Sequence, residues 1–183
     1  MKNRVFRMMK LVSALLLMLV VGACATVPPR PNPALQQQLA VLKIRLFELI
    51  EEERMQGGAK PMALDLDLAS AAQAHSEDMA KKRSFDTMNP NGNLAVNTLL
   101  SRDPKFVGFF AENSAAQYFT PSQGIDPETM AKGFLHIWLE SPSHRNNLMY
   151  RDFDRTGIGV AVNGNAIYAA EVFATNLGLP EPQ

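Results

Sequence analysis

The side chains of this 183-residue sequence best suited to chemistry near neutral pH are three histidines, one cysteine and a pair of serines. Ser141 and Ser143 stand beside His144. A serine nucleophile needs a histidine held by an orienting acid, and the sequence offers no evident acid for that triad. Ser141 followed by Pro142 reads instead as a helix N-cap with proline at the first helical position. His144 then falls in the first turn of a short helix, where the positive end of the helix dipole disfavours an added proton. The expected imidazole is neutral at pH 7 and free to accept a hydrogen bond or bind a ligand. His75 shares an apolar stripe with Leu68, Ala72 and Met79, so it reads as a core histidine satisfied by a partner. His136 falls off the apolar side of its helix and reads as a surface residue. Cys24 is the only cysteine, so no intramolecular disulfide is available to it.

The surroundings of Cys24 read as an address. Lys2, Arg4, Arg7 and Lys10 precede a thirteen-residue apolar run, Leu11 to Ala23. A membrane-spanning helix needs roughly 20 apolar residues, so this run fits the core of a signal peptide. The run ends Val21-Gly22-Ala23-Cys24, which resembles the lipobox of bacterial lipoproteins. That resemblance implies removal of residues 1–23, a diacylglycerol on the Cys24 sulfur, and an acyl chain such as palmitate on its new amino terminus. Several acyl chains on one residue give stable membrane anchoring. Ala25 in place of an aspartate points to the outer membrane, facing the periplasm, if the host is Gram-negative. Residues 24–38 hold four prolines before Ala34 and read as a tether, followed by one domain at 39–178 and a tail at 179–183. Without the four leader cations the chain keeps 14 basic residues against 18 acidic ones, a net charge near −4. A mildly acidic domain lacking basic clusters excludes nucleic acid as the expected partner.

The elements that must position the histidines follow from periodicity. Leu35, Leu39, Leu42, Leu46 and Leu49 make one stripe of a helix over Leu35–Met55, with Glu51, Glu52, Glu53 and Arg54 as a solvated end and Gly57-Gly58 as its stop. Asp65–Arg83 is a second helix with an alanine-rich middle for close packing. Asn89–Asn93 is a turn cluster, and Asn93–Leu100 a short helix. Pro127–Glu140 is a helix with Met130, Phe134, Ile137 and Trp138 on its apolar side. Thr156–Val162 is a strand, Asn163-Gly164 a two-residue hairpin turn, and Asn165–Ala174 the return strand. Helices followed by a terminal hairpin predict a single α/β domain with helices on the sheet.

Several segments, taken together, resemble bacterial CAP domains, the superfamily of cysteine-rich secretory proteins, antigen 5 and pathogenesis-related proteins. Leu49 to Met79 resembles that family's opening, a helix ending in a Glu-Arg pair, a glycine turn, and a helix with "A..H..dMa". Ala111-Glu112-Asn113 resembles its "GEN" motif. Trp138 to Leu148, WLESPSHRNNL, resembles "W..SpgHr.nil", the most specific match. Phe153 to Val160 resembles "f..vGvGv", and Tyr168 to Phe173 resembles "ywtqvF". The similarity spans about Val41 to Asn176 and implies an α-β-α sandwich.

The resemblance also implies a cleft with two histidines and two glutamates, where some members bind zinc or another divalent metal. His144 and Glu112 match one histidine and one glutamate. Thr87 stands where the other histidine is expected, beside Asp86, and Glu140 is one residue away from the second glutamate's place. Zinc sites take at least three protein ligands. His144 with Glu112 would make at most a weak site, unless Asp86 or Glu171 supplied a third ligand. His75 is a further candidate for the cleft, and a structural hydrogen bond between His144 and Glu112 is the alternative to a ligand-binding role. Three functions stay open: a non-enzymatic module binding a small hydrophobic ligand or an envelope protein; a hydrolase, such as a peptidase, using Glu112 and His144; and a structural envelope protein with a vestigial cleft.

Overall fold

The computed structural model describes residues 32–84, 97, 100, 101, 104 and 108–175. Cys24 and the leader, the turn cluster at 89–93, Asp86, Thr87 and the tail at 179–183 lie outside the described residues. Of the short helix expected over Asn93–Leu100, Asn97 and Leu100 are described, and both are helical.

The first helix, α1, runs Pro33–Gln56. It begins inside the stretch expected to be tether. Pro33 sits at the first helical position, where its missing N–H has no partner to lose. The Asn32 side chain accepts from Ala34 N at 3.0 Å and closes the start. Pro33 is therefore part of the helix, and Gln38 donates to Ile125 O at 3.0 Å instead of lying in a linker. The stripe Leu39, Leu42, Leu46 and Leu49 is buried as its spacing predicts. The far end departs from expectation: Glu51 and Arg54 are buried, not solvated.

After β1 (Ala63–Leu64) comes α2 (Leu66–Lys82). Asp65 Oδ1 accepts from the N–H groups of Asp67 and Leu68, and Arg83 ends the helix in the left-handed region at φ 52°. Leu68, Ala72, His75 and Met79 are all buried. Then come β2 (Phe110–Tyr118), α3 (Pro127–Glu140), α4 (Pro142–Met149), β3 (Arg155–Asn163) and β4 (Ala166–Ala174). Three details correct the sequence reading. Ile137 is 37% exposed, so α3 buries Phe134 and Trp138 on a narrower face. Ser141 occupies the N-cap position of α4 without a capping hydrogen bond; its Oγ lies 3.1 Å from Ser143 Oγ instead. The hairpin loop is Gly164-Asn165, one residue later than expected, because Asn163 still pairs with Ala166. Gly164 has φ 62° while Asn165 does not enter positive φ, the pattern of a turn with glycine first.

The sheet order is β1-β3-β4-β2, with β1 parallel to β3 and the remaining pairs antiparallel. The sequence reading missed β1 and β2. Strand β2 is mostly alanine, serine, asparagine and glutamine between aromatic ends, so it carries no apolar alternation to read. Helix α2 covers one face of the sheet with Leu68, Ala71, Ala72 and Met79 against Tyr168, Ala170 and Val172. Helices α1 and α3 cover the other, with Leu42, Leu46, Phe134 and Trp138 against Ile158, Ile167 and Phe173. The result is the expected α-β-α sandwich in one domain.

Candidate functional site

Side chains of neighbouring strand residues point to opposite faces. This alternation decides where each candidate goes. Glu112 pairs in register with Val172, whose side chain packs under α2, so Glu112 points toward α2. The next residue, Asn113, pairs with Glu171, which pairs in turn with Ile158 on the α1 and α3 face. Glu112 and Glu171 therefore lie on opposite sides of the sheet, and Glu171 cannot complete a ligand set with Glu112.

Glu112 finds its partner on α2. His75 Nδ1 and Glu112 Oε1 are in direct hydrogen-bonding contact, with side chains 3% and 8% exposed. The core histidine is thus satisfied by the very carboxylate expected to meet His144. The alternative of a structural hydrogen bond between His144 and Glu112 gives way to this contact.

His144 enters the site through the backbone. Asn113 Nδ2 donates to His144 O at 3.0 Å. Asn147 Nδ2 lies 2.9 Å from Asn113 Oδ1 and 3.2 Å from Glu112 O. Asn113 and Asn147 form a clamp that seats α4 on β2 immediately beside Glu112. The sequence reading gave neither asparagine a role; both stand inside the quoted motifs, Ala111-Glu112-Asn113 and the run Asn146-Asn147. The His144 side chain is half-buried, and its Nδ1 is enclosed without a hydrogen-bond partner. Burial lowers its pKa from the ordinary histidine value, so the imidazole is neutral at pH 7 as expected. The physical cause is loss of water around the ring; the helix dipole is not needed.

The remaining described candidates are exposed. Glu140 is the last residue of α3 and is exposed, and His136 is exposed on the same helix. Among the described residues no three histidine, cysteine, aspartate or glutamate side chains gather closely enough to hold a metal ion. The donors among the described residues do not fit the zinc site implied by the resemblance. His75 and Glu112 supply two donors already joined to each other, and His144 supplies a single nitrogen.

Glu171, Glu51 and Arg54 form a separate buried group on the other face. Arg54 is fully buried, and its guanidinium donates to four backbone carbonyls: Leu148 (2.6 Å), Lys60 (2.9 Å), Tyr150 (3.1 Å) and Phe153 (3.1 Å). Two of these carbonyls belong to the end of α4 and its cap. Glu51 Oε2 accepts from Met62 N at 2.8 Å, and Glu51 Oε1 lies 3.8 Å from Arg54 Nε.

Comparison with known proteins places this architecture. Residues 47–176 match the model of the CAP family, described as the cysteine-rich secretory protein family. The chain is 27% identical over 121 residues to the protein YkwD of Bacillus subtilis (strain 168); the match covers 66% of this chain and 43% of that protein, less than half of its length. An extracellular protein containing an SCP domain from Bacillus anthracis shares the fold with a TM-score of 0.60 and 26% identity, over 80% of this chain and 44% of that one. An outer surface protein of Borrelia burgdorferi shares it with a TM-score of 0.55 and 20% identity, over 74% of this chain and 92% of that one.

Proposed function

The chain belongs to the CAP family of cysteine-rich secretory proteins, and from that premise we propose that it is a membrane-anchored, extracytoplasmic lipoprotein whose site at α4 binds a ligand without turning it over. The observation that carries this reading is the pairing of Glu112 with His75 in the interior. A general base must stand within hydrogen-bond reach of the group it serves. A Glu112 carboxylate held by His75 between α2 and the sheet is withdrawn from that task, and His144 is left without an acid to work with. What His144 retains is a neutral ring that is only half-buried, which suits recognition of a ligand bearing one hydrogen-bonding group. A small, largely apolar envelope lipid is the ligand class that best suits such a sparse polar complement.

The anchor is supported by the four-cation leader, the thirteen-residue apolar run and the lipobox-like Val21-Gly22-Ala23-Cys24. The extracytoplasmic location is supported by the family relative described as extracellular. Among the described residues no helix is long and apolar enough to cross a membrane, so attachment in this reading rests on Cys24.

Two measurements test the proposal. Metabolic labelling with palmitate should mark the chain and fail in Cys24→Ala; equal labelling of both would overturn the anchor. Calorimetric titration of Ala25–Gln183 with zinc should show no binding at micromolar concentration, while titration with dispersed membrane lipid extract should give heat that His144→Ala removes. Micromolar zinc binding abolished by both His144→Ala and Glu112→Ala would overturn the binding reading in favour of a metal-assisted hydrolase.

A further inference from the structure

The buried group beneath α4 contains one cation and two carboxyl groups. Arg54 and Glu51 come from α1 and Glu171 from the central strand β4, and among the described residues these are the charged groups that act on one another here; the register partners of Glu171 are Ile158 on β3 and Asn113 on β2, and Thr156, diagonally across β3, bonds to it. Glu51 has the stronger claim to the negative charge. A backbone N–H donates to it, Arg54 lies beside it, and its side chain retains 11% exposure. Glu171 is fully buried, and among the described residues Thr156 is its hydrogen-bond partner and Oε2 has none.

The Thr156 hydroxyl distinguishes the two states of Glu171. Its Oγ1 lies 2.9 Å from Glu171 Oε1 and 3.0 Å from Val172 O. A hydroxyl has one proton to donate and lone pairs to accept with. If Glu171 were ionised, both neighbours would be acceptors and one contact would go unmade. If Glu171 is protonated on Oε1, the acid donates to Thr156, and Thr156 donates to Val172 O, so both contacts are satisfied. Burial acts in the same direction and raises the carboxyl to about 8, with Arg54 and Thr156 opposing it.

We propose that Glu171 is held as a neutral carboxylic acid and acts as a pH-operated catch on α4, the helix that carries His144. Ionised, Glu171 becomes a buried carboxylate short of donors. Two donors around it already seat α4: Arg54, whose charge acts on Glu171, grips Leu148 O and Tyr150 O at its end, and Asn113, register partner of Glu171, holds His144 O near its start. Drawing either toward Glu171 loosens α4 while the α2 face is untouched. The catch stands whether or not His144 binds a ligand, and it makes any such binding weaken in alkaline surroundings.

The test uses the full chain in detergent micelles, with 13C in the glutamate carboxyl groups. One glutamate carboxyl should remain protonated at pH 7 and titrate with a midpoint near 8, and that resonance should vanish in Glu171→Gln. Protection factors of the α4 amides, corrected for intrinsic exchange, should fall through the same midpoint and stay flat in Glu171→Gln. The folded state binds the Glu171 proton more tightly than the unfolded state, whose carboxyl titrates near the ordinary value of about 4.3. Stability therefore declines as pH rises from about 5 to about 8 and levels off above. Relative to Glu171→Gln, the unfolding constant of the unsubstituted chain should rise by up to about tenfold per pH unit across that window. Finding every glutamate carboxyl ionised at pH 7 in the unsubstituted chain overturns the proposal without any variant. So does an alkaline fall in α4 protection that persists in Glu171→Gln.

Discussion

The two faces of the sheet solve the same packing problem in opposite ways. On the α2 face the contact is made of absence. Gly157 and Gly159 of β3 lie directly under the backbone of Ala69 and Ala72, so closely that a Cβ on either glycine would overlap the helix main chain. Ala71, Ala72 and Ala170 continue this close fit, and His75 meets Glu112 there in a buried hydrogen-bonding contact. On the α1 and α3 face the space is filled. Trp138, Phe134, Phe173, Leu42 and Leu46 supply the volume, and Arg54 replaces the backbone partners that the turn after α1 and the end of α4 would otherwise lack. The first face depends on shape and tolerates no added atom. The second depends on bulk and charge, and tolerates no lost donor.

Removing the donor should do the most damage. Arg54→Ala strands four carbonyls and leaves Glu51 without its cation, which should lower stability by about 4 kcal/mol in urea unfolding. A loss below about 1 kcal/mol would mean that water replaces the guanidinium and that the filled face is less dependent on it than described. Next comes a single methyl on the other face. Gly159→Ala should cost about 3 kcal/mol, since the clash is with helix backbone and cannot be relieved by a side-chain turn. A near-neutral result would show that α2 can lift off the sheet freely.

The helix starts sharpen the contrast at smaller scale. Asp65 caps α2 with two N–H groups, so Asp65→Ala should cost about 1 kcal/mol. Ser141 begins α4 without a capping bond, so Ser141→Ala should fall within about 0.5 kcal/mol of the unsubstituted chain. Equal costs at the two positions would remove the distinction. The smallest expected signal is the His144 titration. Burial lowers its pKa, so the unfolded chain takes the proton first on acidification, and His144 contributes a loss of stability that begins as pH falls below about 6.5. An NMR midpoint above that value would contradict a ring shielded from water.

Much of the fold was legible. The leucine stripe of α1, the Leu68–Met79 stripe of α2, the aspartate and glycine that begin and end helices, and the glycine-bearing hairpin are local signals, each readable within a few residues. Strand β2 was not, because a strand held between β4 and neighbouring helices needs no apolar alternation of its own. The charged end of α1 misled for a related reason. Glu51 and Arg54 look solvated in sequence, and they are buried because partners brought from elsewhere in the chain meet them: carbonyls accept from Arg54, and the Met62 N–H donates to Glu51.

The same division runs through the site. The sequence by itself determined which residues carry chemistry, that His144 opens a short helix, and that the motifs around Glu112 and His144 belong to this family. Only the tertiary structure decided who meets whom. Strand alternation sends Glu112 to one face and Glu171 to the other, helix α2 brings His75 to Glu112, and the asparagine pair holds α4 by its main chain. Spacing along a chain fixes the direction of a side chain within its own element, whereas its partner is fixed by how separate elements pack, and that is information no single segment contains.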